Sequence, residues 1–484
     1  MTIDISRAGI DYTAIGPEIV VAVTAIVVLG LELVVPPERR RWLASVSILG
    51  LLVAAAACAP LWGQNRSAFA GTVAGDSYAV FFNVVLIGTS IATILVAPHI
   101  LRALSLDYGE FYALLLAATG GMMLLAAATS LMTIFLGIEL LSIALYVLSS
   151  FARTELRSQE AGLKYLLLGG FATGFLLYGM ALTYGATGST TLRGIASFAT
   201  ANQAGNVLLL VGIGFMAVGL AFKASAAPFH MWTPDVYEGA PTLVTTFMSV
   251  ATKAAAFAAI GRVFVAALPG VKADWYVPLV FIAVVSLLIG NVVAITQDNI
   301  KRLLAYSGVA QAGYIFLGIL PGTRDGLAAT LFYVGAYAVA NFGAFAVVSA
   351  LGTRGERTED IRYWSGLFYR RPFLATAMTL FMLSLAGIPP TVGFFAKLFV
   401  FRELVVIQAW PALAVAILTT VVSFYYYLRV VVVMLSPPAE AVEAERVAPS
   451  MRLVLGVAAV LTVLLGILPT WVFDWSTRAA TFHL

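Results

Sequence analysis

Three of the six lysines in this chain lie deep inside long apolar stretches: Lys223, Lys253 and Lys397. A charged side chain at the centre of a bilayer costs about 2.5–3.5 kcal/mol on insertion scales, so packing alone does not explain three of them. Desolvated lysine also gives up its proton far more readily than arginine does. The pattern therefore indicates groups that change charge inside a membrane, and our first hypothesis is a proton path.

The composition is that of an integral membrane protein. Of the 484 residues, 61% are hydrophobic and 11% are charged, whereas soluble domains average about 25% charged residues. The single cysteine, Cys58, supports neither a disulfide framework nor a zinc or iron–sulfur site, so we expect no cofactor or metal in this chain. The small net charge of +4 argues against nucleic acid as a partner. Acidic residues stand near the start of the chain, where a secretory signal would be basic, so we predict no cleavable signal.

Segmentation at charges, prolines and glycine clusters predicts an all-α polytopic fold with about fourteen transmembrane helices. A helix needs about 20 residues to cross the hydrocarbon core, and each boundary carries an error of about 2–4 residues. The predicted segments are 17–36, 42–62, 77–98, 111–128, 131–152, 162–185, 206–236, 242–268, 277–296, 301–320, 326–351, 373–404, 409–435 and 451–472.

Lysine and arginine are divided unevenly between alternate connections. The connections on one side carry fifteen of them, and those on the other side carry seven. The positive-inside rule makes the richer side cytoplasmic. We therefore predict that both termini lie on the outer side, which agrees with an even number of crossings.

Two predicted segments are too long for one simple crossing. Segments 206–236 and 373–404 would extend roughly 45–48 Å, against a hydrocarbon core of about 30 Å. Within them, VGLAFKASAAPFHMWTPD and LAGIPPTVGFFAKLF place proline within a few residues of a lysine. Proline frees backbone carbonyls, which is tolerated at membrane depth only where protein or water covers them. Paired broken helices indicate a transport pathway.

A short repeat suggests two related halves. VGLAFK and VGFFAK match at three of six positions, 174 residues apart. If the second half begins five crossings after the first, it is an inverted copy, because an odd number of crossings reverses the orientation in the membrane.

Glu139, in LMTIFLGIELLSIALYVL, is the acid that we place near the membrane midplane. An isolated buried carboxylate takes up a proton, whereas one beside an ammonium group can stay ionised. We predict that Glu139 pairs with Lys223; the alternative is a permanently neutral, hydrogen-bonded glutamate. Lys253 could likewise be the static partner of an unidentified acid. Arg262, nine residues further on, is expected to reach the outer interface and snorkel.

The remaining four candidate residues lie near a helix start or a helix break. Lys164, in the first turns of its helix, is by position a snorkelling interfacial lysine. His230 follows the proline of a helix break, where it could relay a proton or bond a freed carbonyl. Asp235 and Glu238, just beyond, could form a proton-collecting funnel or cap the next helix.

The chain resembles a known family, the antiporter-like proton-channel subunits in the membrane arm of respiratory complex I (NADH:quinone oxidoreductase). The densest match is AFKASAAPFHMWTPDVYEGAPTLVTTFMSVATKAAAFAAIGRVF, backed by EAGLKYLLLGG, DNIKRLLAYSGVAQAGYIFLG and LAGIPPTVGFFAKLF. Lys397 stands where another branch of the family carries glutamate. The chain also stops soon after its last helix, where a further branch adds a long lateral helix.

The resemblance implies a fold and a set of roles. The fold would have two inverted five-helix repeats, with helices seven and twelve discontinuous: 1–110 an N-terminal three-helix segment, 111–268 the first repeat, 277–435 the second, and 451–484 the last helix and tail. Glu139 and Lys223 would form the pair of helices five and seven. Lys253 would be the central relay, Lys397 the relay and exit, and Lys164 the family's helix-six lysine.

The resemblance also implies partners and rival functions. NADH, FMN, iron–sulfur clusters and quinone would be bound by other subunits, with a neighbouring antiporter-like subunit, other membrane-arm subunits and the lipid bilayer as partners in a bacterial cell membrane. An Mrp-type sodium/proton antiporter subunit would share the fold and much of the motif set. A solely structural spacer with inert lysines is a second rival. An independent solute carrier is the least favoured alternative, because the sequence shows no central polar cluster suited to an organic substrate.

Overall fold

The computed structural model describes residues 11–201, 205–352, 356–437 and 447–482. The extreme residues at both termini, and so part of the prediction of where the termini lie, fall outside the described residues. Within the described ranges the chain is mostly helical. Ten helices are long and apolar enough to cross a membrane, which confirms a multi-pass membrane fold.

The helices are named α1 to α19 in chain order. They are α1 (Gly16–Glu32), α2 (Arg41–Cys58), α3 (Ser77–Ala103), α4 (Glu110–Ala127), α5 (Leu131–Ser149), α6 (Leu156–Thr187), α7 (Leu192–Ala201), α8 (Val207–Lys223), α9 (Trp232–Gly239), α10 (Thr242–Ile260), α11 (Lys272–Ile295), α12 (Ile300–Ile319), α13 (Arg324–Leu351), α14 (Leu367–Arg370), α15 (Pro372–Ala386), α16 (Val392–Val406), α17 (Trp410–Leu435), α18 (Pro449–Ile467) and α19 (Pro469–Ala479). Strands β1 (Arg66–Ala68) and β2 (Val73–Gly75) form a small antiparallel pair.

Several helices begin at a polar capping residue. Asp76 accepts a hydrogen bond from the amide of Ala79 at 2.9 Å, and Asn299 accepts one from the amide of Lys301 at 2.8 Å. Such caps satisfy amide groups that have no partner within the helix. The ends differ from the predicted ones by a few residues, because the polar residues at the membrane surface continue the helix: the segment predicted at 162–185 is helical from residue 156 to 187.

Both long segments are interrupted beside their lysines, as their prolines predict. Helix α8 ends at Lys223, and α9 begins nine residues later, at Trp232. Helix α15 ends at Ala386, and α16 begins at Val392. A third interruption was not predicted: the segment 451–472 is divided at Pro469, where α19 begins.

Helices α10 and α13 form the centre of the bundle. Every residue of α10 after its first, Thr242, is buried, and α13 is buried over most of its length. Helices α3 and α12 pack beside them, whereas in α2, α17 and α18 only 33% of the residues of the apolar span are buried by the chain itself. An apolar helix that is buried all round is a core element, so a polar residue on α10 is removed from lipid.

The prediction that Arg262 snorkels to the outer interface is wrong. Helix α10 continues as a π-helical turn (Gly261–Ala267), and Arg262 on it is fully buried. Its guanidinium forms a two-pronged ion pair with Asp76, at 2.8 and 3.1 Å, and donates to the Ala126 carbonyl at 2.7 Å. A buried arginine is tolerated when its charge is paired and its donors are satisfied, and the start of α3 supplies that partner.

Candidate functional site: a row of buried lysines

Lys223, Lys253 and Lys397 are buried on three different helices, α8, α10 and α16, and we call them the lysine row. These three residues are only 4%, 1% and 4% exposed, which confirms that they lie inside the protein. Each was recognised in the sequence as a charge inside an apolar run. What the structure adds is the identity of the groups that they contact.

Lys223 contacts a serine on α5. Its Nζ donates to Ser142 Oγ at 2.7 Å, and the Ser142 hydroxyl donates in turn to the Ile138 carbonyl. The rings of Tyr146 and Tyr165 lie 5.6 and 5.4 Å from Nζ. Lys223 is therefore held by a neutral hydroxyl and by aromatic faces, which attract a cation.

Glu139 lies on the same helix as Ser142, three residues earlier. It is half-buried, beside Leu136 and Leu140, which are 56% and 45% exposed. Within the described part of the chain no salt bridge of 4.0 Å or less joins Glu139 to Lys223, whose hydrogen bond goes to Ser142. Glu139 thus sits between the buried interior and the outward face of α5, and its pairing with Lys223 stays a prediction.

Lys253 has a phenol as its hydrogen-bond partner. Its Nζ lies 3.3 Å from the hydroxyl oxygen of Tyr237 on α9. No carboxylate among the described residues lies within 4.0 Å of it, so the acid that would make it a static ion pair is not seen there. Gly308 on α12 leaves room for the ammonium group, since a Cβ at that position would lie 3.3 Å from Nζ.

Lys397 reaches back across the second helix break. Its Nζ donates to the Ala386 carbonyl at 2.8 Å, at the C-terminal end of α15, and lies 4.7 Å from the ring centre of Tyr314. The C-terminal end of a helix carries partial negative charge, which favours a cation. Gly387 makes this approach possible, because its φ is +88° and a Cβ there would lie 2.9 Å from Lys397 Cδ.

A polar network that the sequence analysis missed lies between Lys253 and Lys397. Gln311 on α12 donates to the Tyr427 hydroxyl and to the Leu385 carbonyl, both at 3.0 Å, and accepts from Tyr333 at 2.6 Å. Tyr427 also bonds Ser307, one residue before Gly308. A glutamine inside an apolar helix was a usable signal, whereas one tyrosine in the run FYYYLRV could not be singled out.

Lys164 is not part of the lysine row. Its side chain is 41% exposed and pairs with Glu160 at 2.7 Å and with Asp235 at 2.9 Å. Asp235 also pairs with Arg302 at 3.0 Å, and Arg302 pairs with Glu238 at 2.8 Å. Asp235 and Glu238 therefore belong to a charged cluster that joins α6, α9 and α12, and neither makes a side-chain cap at the start of α10.

Lys301 joins this cluster, although the sequence analysis counted it only as a charge in a connection. It is 2% exposed, donates to the Ala240 carbonyl at 3.1 Å and pairs with Glu359 at 3.1 Å. No periodicity distinguishes it from a surface lysine, because its burial depends on the approach of residues distant in sequence.

His230 lies in the first helix break and is half-buried. Its ring centre is 6.1 Å from that of Tyr306, and its Nδ1 makes no hydrogen bond with a described residue. The geometry leaves both readings of His230 open. As for metals, the described ranges hold no group of three or more His, Cys, Asp or Glu side chains that could bind an ion.

The fold and the lysine row define a multi-pass membrane protein with ionisable side chains buried inside its helix bundle. Comparison with known proteins agrees with this class. The family described as "NADH:quinone oxidoreductase/Mrp antiporter, TM" matches residues 128–423. NADH-quinone oxidoreductase subunit N of Trichlorobacter lovleyi is 44% identical over 474 residues, covering 97% of both chains. The chain belongs to the family of NADH-quinone oxidoreductase subunit N, as its motifs predict.

Solved structures agree with this assignment. A chain in the structure of respiratory complex I from Thermus thermophilus with bound aureothin is 35% identical, with a TM-score of 0.81, and the match covers 95% of this chain and 98% of that one. A chain of the Mrp complex from Dietzia sp. DQ12-45-1b has a TM-score of 0.84 over 96% of both chains, but at 21% identity it shows a common fold only. The Mrp-type alternative is therefore the weaker one.

Proposed function

We propose that this chain moves protons from the cytoplasmic to the outer side of a bacterial cell membrane, as a membrane-arm subunit of NADH:quinone oxidoreductase. The observation that carries the proposal is the lysine row. Three buried lysines are held by a serine, a tyrosine and a backbone carbonyl, with no carboxylate in direct contact among the described residues. A buried carboxylate would hold the ammonium permanently charged, whereas neutral partners leave room for proton loss.

Each buried charged residue has a role in the proposed proton path. Lys223, Lys253 and Lys397 pass protons through bound water, and Glu139 controls the charge of Lys223. Two unit charges about 8 Å apart interact by roughly 2 kcal/mol at an effective dielectric near 20, which is enough to make a poised lysine release its proton. Moving one proton outward against 100 mV costs about 2.3 kcal/mol, so a few such steps are of the right size.

The remaining elements support transport. Lys164, in the charged cluster, and His230, in the first break, deliver protons towards the row. Fourteen crossings would form two inverted repeats, 111–268 and 277–435, between the N-terminal segment 1–110 and the C-terminal segment 451–484, with both termini outside. The interruptions α8/α9 and α15/α16 would then be the equivalent broken helices of the two repeats.

The driving energy comes from other subunits. NADH, FMN, iron–sulfur clusters and quinone would be bound there, because a chain with a single cysteine offers no ligand set for an iron–sulfur cluster. Neighbouring membrane-arm subunits, including another antiporter-like one, transmit the energy along the membrane.

The test is Lys223→Ala in the assembled complex, with Lys272→Ala as a matched loss of a lysine outside the row. NADH-driven proton uptake into membrane vesicles is expected to fall sharply in the first variant and to stay normal in the second, with both complexes assembled. Wild-type pumping by assembled Lys223→Ala would favour an inert spacer and reject the proposal. Collapse of the gradient by a sodium ionophore, but not by a protonophore, would instead support the Mrp-type sodium function.

A further inference from the structure

A groove opens between α8 and α11, close to where both helices begin. It has a volume of about 140 Å³, and most of the side chains that line it are apolar. Helix α8 contributes Leu210 and Ala217, and α11 contributes Trp275 and Leu279. From Leu210 to Ala217 the groove extends about 10 Å along α8, because a helix rises about 1.5 Å per residue. The lysine of α8, Lys223, stands at the opposite end of that helix.

The size and the opening of the groove suit a hydrocarbon chain. Pockets for drug-sized ligands measure about 300–1,000 Å³, whereas an apolar cavity of about 150 Å³ takes up one benzene ring. Val211 on α8 and Val277 on α11, which flank the groove, are both exposed, so it opens sideways to the surroundings of the bundle. A lipid chain can enter from that side without leaving the membrane.

One carboxylate lies at the end of the groove nearest the start of α11. Asp274, in the first turn of that helix, lines the groove and is exposed. Lys272, two residues earlier, donates its Nζ to the Pro321 carbonyl, and among the described residues no salt bridge joins it to Asp274. The negative charge of Asp274 is therefore available to a cation from outside the described chain.

Pro278 adds a second acceptor at the same place. A proline has no amide hydrogen, so the Asp274 carbonyl, four residues before it, receives no helical hydrogen bond from residue 278. The indole N–H of Trp275 is already bonded to the Leu268 carbonyl at 2.8 Å. The end of the groove thus offers a carboxylate and a carbonyl, which suit a cation that carries N–H groups.

We propose that the groove binds a phospholipid whose head group carries a primary ammonium, such as phosphatidylethanolamine. The ammonium donates to the carboxylate and the carbonyl of Asp274, and one acyl chain lies along α8 past Gly214. Lipid tails are as apolar as the groove, so the head group decides which lipid is held. The quaternary ammonium of phosphatidylcholine has no N–H to donate, and the purely anionic head group of phosphatidylglycerol is repelled by the carboxylate.

The test uses photoreactive phosphatidylethanolamine and phosphatidylcholine that carry the same diazirine-labelled acyl chain. Each is added to phosphatidylglycerol vesicles that contain the complete complex, and crosslinks to this subunit are mapped by mass spectrometry. Exposed ion pairs change an affinity by about 1.5- to fivefold. We expect the groove segments of α8 and α11 to be labelled more strongly by the phosphatidylethanolamine probe, by a factor of that size.

Two variants separate the head-group contact from the chain contact. Asp274→Asn should lower labelling by phosphatidylethanolamine to the level of phosphatidylcholine, because the negative charge is gone. Gly214→Phe should abolish labelling of the groove by both probes, since a Cβ at Gly214 meets nothing within 4 Å and the added ring fills the groove without a clash.

Each variant has a matched control away from the groove. Asp325→Asn removes another exposed carboxylate in the first turn of a helix, and Gly456→Phe adds the same ring at another glycine with open space around it. Both should be labelled like the wild type. Equal labelling of the wild-type groove by the two probes would overturn the recognition of the ammonium. An unlabelled groove in the complete complex would mean that a neighbouring subunit covers it, and would overturn the lipid site. Neither result bears on the proposed pumping function, which the lysine variants test separately.

Discussion

Removing Asp76 should destabilise the protein more than any surface change, because it leaves a buried arginine unpaired. The side chains of Arg262 and Asp76 are 0% and 1% exposed. Breaking a buried ion pair by removing one partner costs about 3–5 kcal/mol. Asp76→Ala also removes the cap on the Ala79 amide, a loss of about 0.5–2 kcal/mol, so the two losses together give about 3.5–7 kcal/mol.

The assay is a double-mutant cycle on the solubilised complex. It measures the denaturant concentration at which this subunit is lost from the complex. Asp76→Asn keeps a capping side chain and isolates the charge, and Asp76→Asn with Arg262→Met removes both charges. We expect the single variant to lose the subunit at much lower denaturant, and the double variant to recover most of that loss, because the second change removes the buried arginine charge that the first left without a charged partner. A loss below about 1 kcal/mol in Asp76→Asn would refute the ion-pair account.

Three further predictions concern the lysine row. Glu139→Ala should sharply reduce NADH-driven proton uptake while the complex still assembles, because it removes the carboxylate that we propose controls the charge of Lys223; normal uptake would reject its assigned role. Gly387→Ala should destabilise the subunit by about 1–3 kcal/mol, since φ is +88° and the added Cβ would lie 2.9 Å from Lys397 Cδ; denaturant titration measures it, and an unchanged midpoint would contradict it. Gln311→Leu should cost about 1–3 kcal/mol by leaving buried partners unbonded, and the same titration would show no loss if the network were unimportant.

The candidate site was largely predictable where a residue type conflicted with its surroundings. Lys223, Lys253 and Lys397 stand out because a charge in an apolar run is costly wherever it lies. The helix breaks stand out for a similar reason, since proline removes a backbone donor regardless of what packs around it.

Arg262 shows where such reasoning fails. Its place along the helix predicted an interfacial side chain, but Asp76 approaches from 186 residues away in the chain and pairs with it inside the protein. Lys164 shows the opposite outcome: its position near a helix start indicated an exposed, interfacial charge, and the structure leaves it partly exposed among the ion pairs of the charged cluster.

The amino-acid sequence alone determined the membrane class, the location of the breaks and the three lysines, because each depends on the cost of placing one residue type in hydrocarbon. Only the tertiary structure decided the partners: Ser142 for Lys223, Tyr237 for Lys253 and the end of α15 for Lys397. The physical reason is that hydroxyls and carbonyls are common in every helix. Which of them meets a lysine depends on how helices distant in sequence pack together.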